Sequence, residues 1–279
     1  MAERDEEERE ELPAWSLPAE AVERIAVADA WPSPITREWA WGGADGSGVK
    51  VAVVDSGVED GHPRVGRVDG AVVLEYDAEA PGNVREIEGS HEDLFGHGTA
   101  CAAIIRAVAP ACEIHSVRVL GERLTGKGFV FAAGVRWAVD HEMHVANLSL
   151  STGARAHFGR FHELVDLAYF RRTMLVSAIS NVRGPSFPSE FAGVFSVAAT
   201  EGTDPFGYEY NPNGPVEWGA PGIDLDVAWL RGSSIRATGN SFAAPQIAGL
   251  IALILSKHPG LTPFQVKTIL AACAANASR

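Results

Sequence analysis

Short runs that are apolar at nearly every position recur along the chain, and between them apolar residues fall three or four apart. The first run, "VKVAVV" at 49–54, is rich in β-branched residues. That pattern predicts a strand buried on both faces. Similar runs follow at 71–76, 113–119, 144–150, 173–179 and 194–199. Helical spacing fills the gaps at 99–108, 130–142 and 158–172, and two further helices are predicted at 241–257 and 263–274. Strand alternating with helix predicts an α/β domain with a mainly parallel central sheet and helices on both faces. No repeat is seen and no linker divides residues 40–279, and residues 35–279 are expected to form one domain. Ahead of it, residues 1–34 read as an acidic extension with a short helix at 17–30, opened by Pro18.

Composition adds exclusions. The chain has 279 residues and a formal net charge of −13. A nucleic-acid partner is not expected, because such a partner calls for a basic stripe. The first eleven residues, "MAERDEEEREE", hold seven acids and two bases. They read as a solvated end, with docking to a regulatory partner as the functional alternative. No basic, apolar leader pattern opens the chain, and the best membrane candidate, 242–255, is too short and is interrupted by Pro245, Gln246 and Gly249. The three cysteines, Cys101, Cys112 and Cys273, suit free thiols in a reducing compartment. The expected localisation is therefore cytoplasmic, and the Ala-, Gly-, Arg- and Val-rich composition suggests a bacterial source.

In a parallel sheet, ligands bind at the carboxyl ends of the strands. Polar or small residues stand at several of those exits: Asp55 in "VVDSG", Ser151 and Gly153 after "NLSL", and Ser180 and Asn181 after "VSAI". His97 lies in "GHGT" with glycine on both sides, before an apolar helix. Ser241, in "GNSFAAPQIAG", also stands at a helix start. By position alone Ser241 reads as an N-cap. As a nucleophile it would need a histidine to take its proton, an acid to fix the imidazole tautomer, and donors aimed at an oxyanion. Asp55, His97, Ser241 and the side-chain amide of Asn181 supply that set.

The blocks "VAVVDSGVE", "GHGTACAA" and "GNSFAAPQIAG", in that order, resemble the three signature blocks of the subtilisin-like serine proteases, the subtilases. "NLSLS" resembles the family's substrate-lining strand, "SAISN" its oxyanion strand, and "HPGLTPFQVKTIL" its C-terminal helix region. The resemblance runs from about residue 35 to 273. It implies the subtilisin-like three-layer fold and a serine endopeptidase. Ser241 would be nucleophile, His97 base and then acid, Asp55 its orienting partner, and Asn181 the oxyanion donor. It also implies a peptide bound as an added strand, with Ser149, Leu150 and Ser151 on one side and the segment 125–129, including Phe129, on the other.

The chain departs from the family pattern at several positions. Asn240 stands where threonine usually precedes the nucleophile. Ser180 and Ser151 replace glycines, and Phe242 replaces a common methionine. Cys101, one helical turn after His97, resembles the cysteine of thiol-containing, proteinase K-like members. The insertion that holds a calcium ion in many secreted members is missing, so no metal or other cofactor is expected. "HEDLFGH" and "HEMH" read as a solvated loop and a helix end rather than metal sites. Arg183 is a candidate for drawing acidic side chains to the cleft. Too few residues precede the catalytic blocks for the usual pro-domain. These departures suggest a selective processing peptidase, held in check by a partner or by its own N-terminal helix. A subtilase-like peptide transferase or macrocyclase, and a peptide-binding module with a dormant triad, are the competing readings.

Overall fold

A computed structural model of the chain describes residues 31–277. The helix expected at 17–30 lies outside the described residues. The compact body begins at Pro34. Among the described residues it holds helices α1 (Arg37–Trp41), α2 (His97–Val108), α3 (Gly128–Asp140), α4 (Phe158–Arg171), α5 (Asn240–Lys257) and α6 (Pro263–Cys273). Its strands are β1 (Lys50–Asp55), β2 (Gly70–Tyr76), β3 (Val84–Glu88), β4 (Glu113–Arg118), β5 (Val145–Leu148), β6 (Met174–Ala178), β7 (Phe195–Thr200), β8 (Glu209–Tyr210), β9 (Trp218–Pro221), β10 (Leu225–Trp229) and β11 (Ser233–Ala237).

Nine strands form one sheet in the order β3-β2-β4-β1-β5-β6-β7-β9-β8. Pairing is parallel from β2 through β9, and β3 and β8 close the two edges antiparallel. β1 lies in the interior between β4 and β5, which is why five of its six residues are buried. Ala52 and Val54 join a core built with α3 and α4. On the other side, α5 packs along β5, β6, β7 and β9 and against α2. Its residues from Phe242 to Leu255 are all buried, which accounts for their apolar run. No helix among the described residues is long and apolar enough to cross a membrane.

The six expected strands all appear, shifted by a residue or so at their ends. β3 and β8 to β11 carry no apolar run, and the pattern missed them. β11 is almost wholly exposed, and β10 meets the core mainly through Val227, beside Ala100, Ile104 and Phe242. α2 begins at His97 rather than at 99, because Gly96 (φ 106°) supplies a left-handed turn into it. Only glycine adopts that conformation without strain. The N-cap reading of Ser241 is corrected. Gly239 is the cap residue, with no side-chain cap bond, and Ser241 lies inside the helix.

Candidate active site

The site is assembled where β1, β5 and β6 end and α2 and α5 begin. Asp55 is the last residue of β1 and is fully buried. The Nδ1 of His97 donates to both of its carboxylate oxygens, at 2.9 Å each. Asp55 Oδ1 also accepts from the backbone N–H of Ser56 at 2.7 Å. Gly98 permits this approach: a Cβ there would lie 2.0 Å from the carbonyl oxygen of Gly57 and 3.1 Å from the Asp55 Cβ. Burial disfavours the charged imidazole, but the charge of Asp55 and its hydrogen bond outweigh burial, so the His97 pKa is raised.

Asp93 holds the start of α2. Its buried carboxylate accepts five hydrogen bonds: from Ser56 Oγ, from the N–H groups of Phe95, Gly96 and Thr99, and from Thr99 Oγ1. This is a negative group satisfying the free N–H donors of a helix N-terminus. Sequence reasoning saw Asp93 only within a possible metal loop. The signal available was an acid four residues before the helix. Asp93→Ala would strand three N–H groups. We expect it to lower stability by about 3 kcal/mol, or on the order of 10 °C in thermal midpoint for a domain of this size. Calorimetry measures this directly.

Ser241 and Ser149 bond reciprocally. Ser241 Oγ donates to the carbonyl of Ser149 at 3.0 Å, and Ser149 Oγ donates to the carbonyl of Ser241 at 2.8 Å. Beneath them, Asn147 Nδ2 donates to Ser149 Oγ at 3.0 Å, and the Cys101 thiol donates to the Ser241 carbonyl at 3.6 Å. Cys101 is completely buried. Burial first, and the Asp55 charge second, push its pKa well up, so it stays a protonated thiol.

Asn181 follows β6, and its Oδ1 accepts from the N–H of Asn240 at 3.2 Å. That leaves the Nδ2 donors for a ligand. Asn240, which stands where the family usually has threonine, is a positioning residue. Its Oδ1 accepts from Ala199 N at 2.8 Å and its Nδ2 donates to Ile179 O at 3.3 Å. It thereby fixes the start of α5 to β7 and to the segment leaving β6. His97, Ser241 and Asn181 share one cleft of about 440 Å³, together with Ser149, Leu150 and Ser151.

Two assignments are corrected. Phe129 does not line this cleft; Phe131, two residues further along α3, does. Two residues turn a helix by about 200°, and Phe129 instead meets Tyr76 edge-on at 5.9 Å. Thr125, Gly126 and Gly128, from the same segment, line the cleft. Arg183 is exposed and lies outside the cleft. The side chains of the two metal-like motifs have other partners. His91 Nε2 bonds Ser116 Oγ, His141 bonds the Trp137 carbonyl, and His144 Nδ1 accepts from Lys50 N. Among the described residues, the group with ligand atoms close enough for an ion is Asp55, His97 and Cys101, within 4.8 Å of one another. There the imidazole Nδ1 is already engaged by Asp55.

Residues 46–279 match the model of the subtilase family. An alkaline protease of Shouchella clausii is 32% identical over 273 residues, covering 92% of this chain and 68% of that protein. A thermostable alkaline protease of Halalkalibacterium halodurans is 30% identical, covering 81% of this chain; the match spans 62% of that relative's length. Subtilisin Savinase of Lederbergia lenta is 32% identical, covering 82% and 84% respectively. Among solved structures, a cold-adapted subtilisin-like serine proteinase superposes with a TM-score of 0.67 at 26% identity, covering 84% of this chain and 87% of that one.

Proposed function

Because the chain belongs to the subtilase family, whose members are serine endopeptidases, we propose that it cuts peptide bonds through an acyl-enzyme on Ser241. The observation that carries this is one cleft holding Ser241, Asn181 and a histidine bound by a buried carboxylate. Ser241 Oγ turns from the Ser149 carbonyl to His97, which takes its proton as the oxygen attacks the scissile carbonyl. The charge that develops on the carbonyl oxygen meets Asn181 Nδ2 and the Ser241 N–H at the start of α5. Collapse expels the amine, protonated by His97, and water then releases the acyl group by the same route. A peptide added as a strand along Ser149–Ser151 brings an N–H to the Ser149 carbonyl. That contact frees the Ser241 hydroxyl for its turn.

The proposed setting is a reducing, cytoplasmic one, which three free buried cysteines favour. The proposed role is selective processing, favoured by a cleft whose lining, among the described residues, holds no Asp, Glu, Lys or Arg. The test is intact-mass detection of a fluorophosphonate adduct, followed by product masses on a peptide substrate. One adduct mapped to Ser241, with hydrolysed products, supports the reading. Cyclised or transferred products would move it to acyl transfer, and no adduct on folded protein would leave a dormant site. Asn181→Ala should lower kcat by about 10²–10³ with little change in KM; the range is that found for the matching amide in subtilisin.

A further inference from the structure

Past Ser241 and Asn181, the cleft runs between two wall segments, 149–152 and 178–182. When Ser241 attacks a carbonyl whose oxygen points to Asn181, the side chain on the acyl side of that bond enters between these walls. Both walls carry side chains there. Ser151 and Thr152 line one and Ser180 lines the other, all half-buried.

The walls are fastened together below. Thr152 and Phe187 exchange both backbone hydrogen bonds, at 2.9 Å each. The Ser180 N–H donates to Ser186 Oγ at 2.9 Å, and Ser189 Oγ donates to the same atom at 2.7 Å. The Ser186 N–H is taken by Glu190 Oε1 at 2.8 Å, and Ser186 and Ser189 are both buried. Behind Ser151, the Gly153 backbone is so close to the segment that follows the other wall that a Cβ there would lie 3.1 Å from the Pro185 carbonyl. Spreading the walls for a large side chain would break this set of bonds. A charged side chain would lose its water and, between these two walls, meet no Asp, Glu, Lys or Arg among the described residues.

We infer that the residue supplying the cleaved carbonyl is small and uncharged, such as alanine, serine or glycine, and that Ser151 and Ser180 enforce this from opposite walls. The inference rests on the endopeptidase reading and names its substrate class.

The experiment uses fluorogenic peptides identical except at that residue, carrying Ala, Ser, Phe, Lys or Glu. We expect kcat/KM for Ala and Ser to exceed that for Phe by about tenfold or more, and those for Lys and Glu by about a hundredfold. Ser151→Gly combined with Ser180→Gly should raise the Phe-to-Ala ratio about tenfold, with Ser151→Ala/Ser180→Ala in between. That ratio, measured within one preparation, does not depend on how much of a variant folds. Phe cut as well as Ala by the native chain, or an unchanged ratio in the double glycine variant, would overturn the inference. Fluorophosphonate titration of each preparation separates the two ideas. A normal adduct with the wrong preference defeats only the small-residue inference, whereas no adduct defeats the endopeptidase reading itself.

Discussion

Ser241→Ala and His97→Ala each abolish the fluorophosphonate adduct and lower kcat on the order of 10⁶, and the double variant falls little further. The magnitude is that found in subtilisin for loss of nucleophile or base. The non-additivity follows from the chemistry. Once the hydroxyl is gone the imidazole has no proton to take, and without the imidazole the hydroxyl is a weak nucleophile. The geometry sharpens the expectation. The Ser241 hydroxyl rests on the Ser149 carbonyl, so it must turn to the His97 ring before it attacks. The variants should fold, since Ser241 makes one exchangeable side-chain bond and α2 is anchored by Asp93. Adduct formation equal to the native chain's in His97→Ala would show that the nucleophile is activated by some other group.

Asp55→Asn should reduce kcat by about 10⁴ while also moving the acid limb of the pH profile downward. In the native chain the neutral imidazole is the base, and Asp55 raises the pKa against the opposing effect of burial. Activity therefore falls as pH drops through a value raised from that of an ordinary histidine. With an amide at 55, the charge is lost and burial remains, so protonation needs more acid. The stability sign is opposite to that of activity. A raised folded-state pKa stabilises the fold below the unfolded histidine value, and this contribution is lost as pH rises through the folded value. The enzyme thus works where its Asp55–His97 pair adds least to stability. A pH profile of kcat/KM for both chains, with the variant limb at the same or higher pH, would contradict this account.

The site was more legible in the sequence than the edges of the fold. Asp55 could be read because β1 is buried on both sides and ends in a polar residue. His97 and Ser241 could be read because they stand at the starts of apolar helices. Asp93 was passed over although four of its five bonds are local, and Asn240 was not legible as a positioning group, because its partners lie 41 and 61 residues away at Ala199 and Ile179. No local pattern announces such bonds. Phe129 was misplaced because the family resemblance assigned a whole segment to the cleft, whereas a helix begins inside that segment and rotates alternate side chains apart. The strands β10 and β11 left no trace because a largely exposed ribbon needs no apolar alternation.

The order of the sheet also governs when the enzyme becomes an enzyme. β1 holds Asp55 between two strands that come later in the chain, and the nucleophile waits on a helix that follows eight further strands of the same sheet. Parallel pairing of remote segments is slow to form, because each contact must close a long loop first. Local helices form on a much shorter timescale. In refolding, helical signal should therefore return well before the capacity to form an adduct. A chain still on its way to the native state lacks the assembled cleft in which Ser241 and His97 meet.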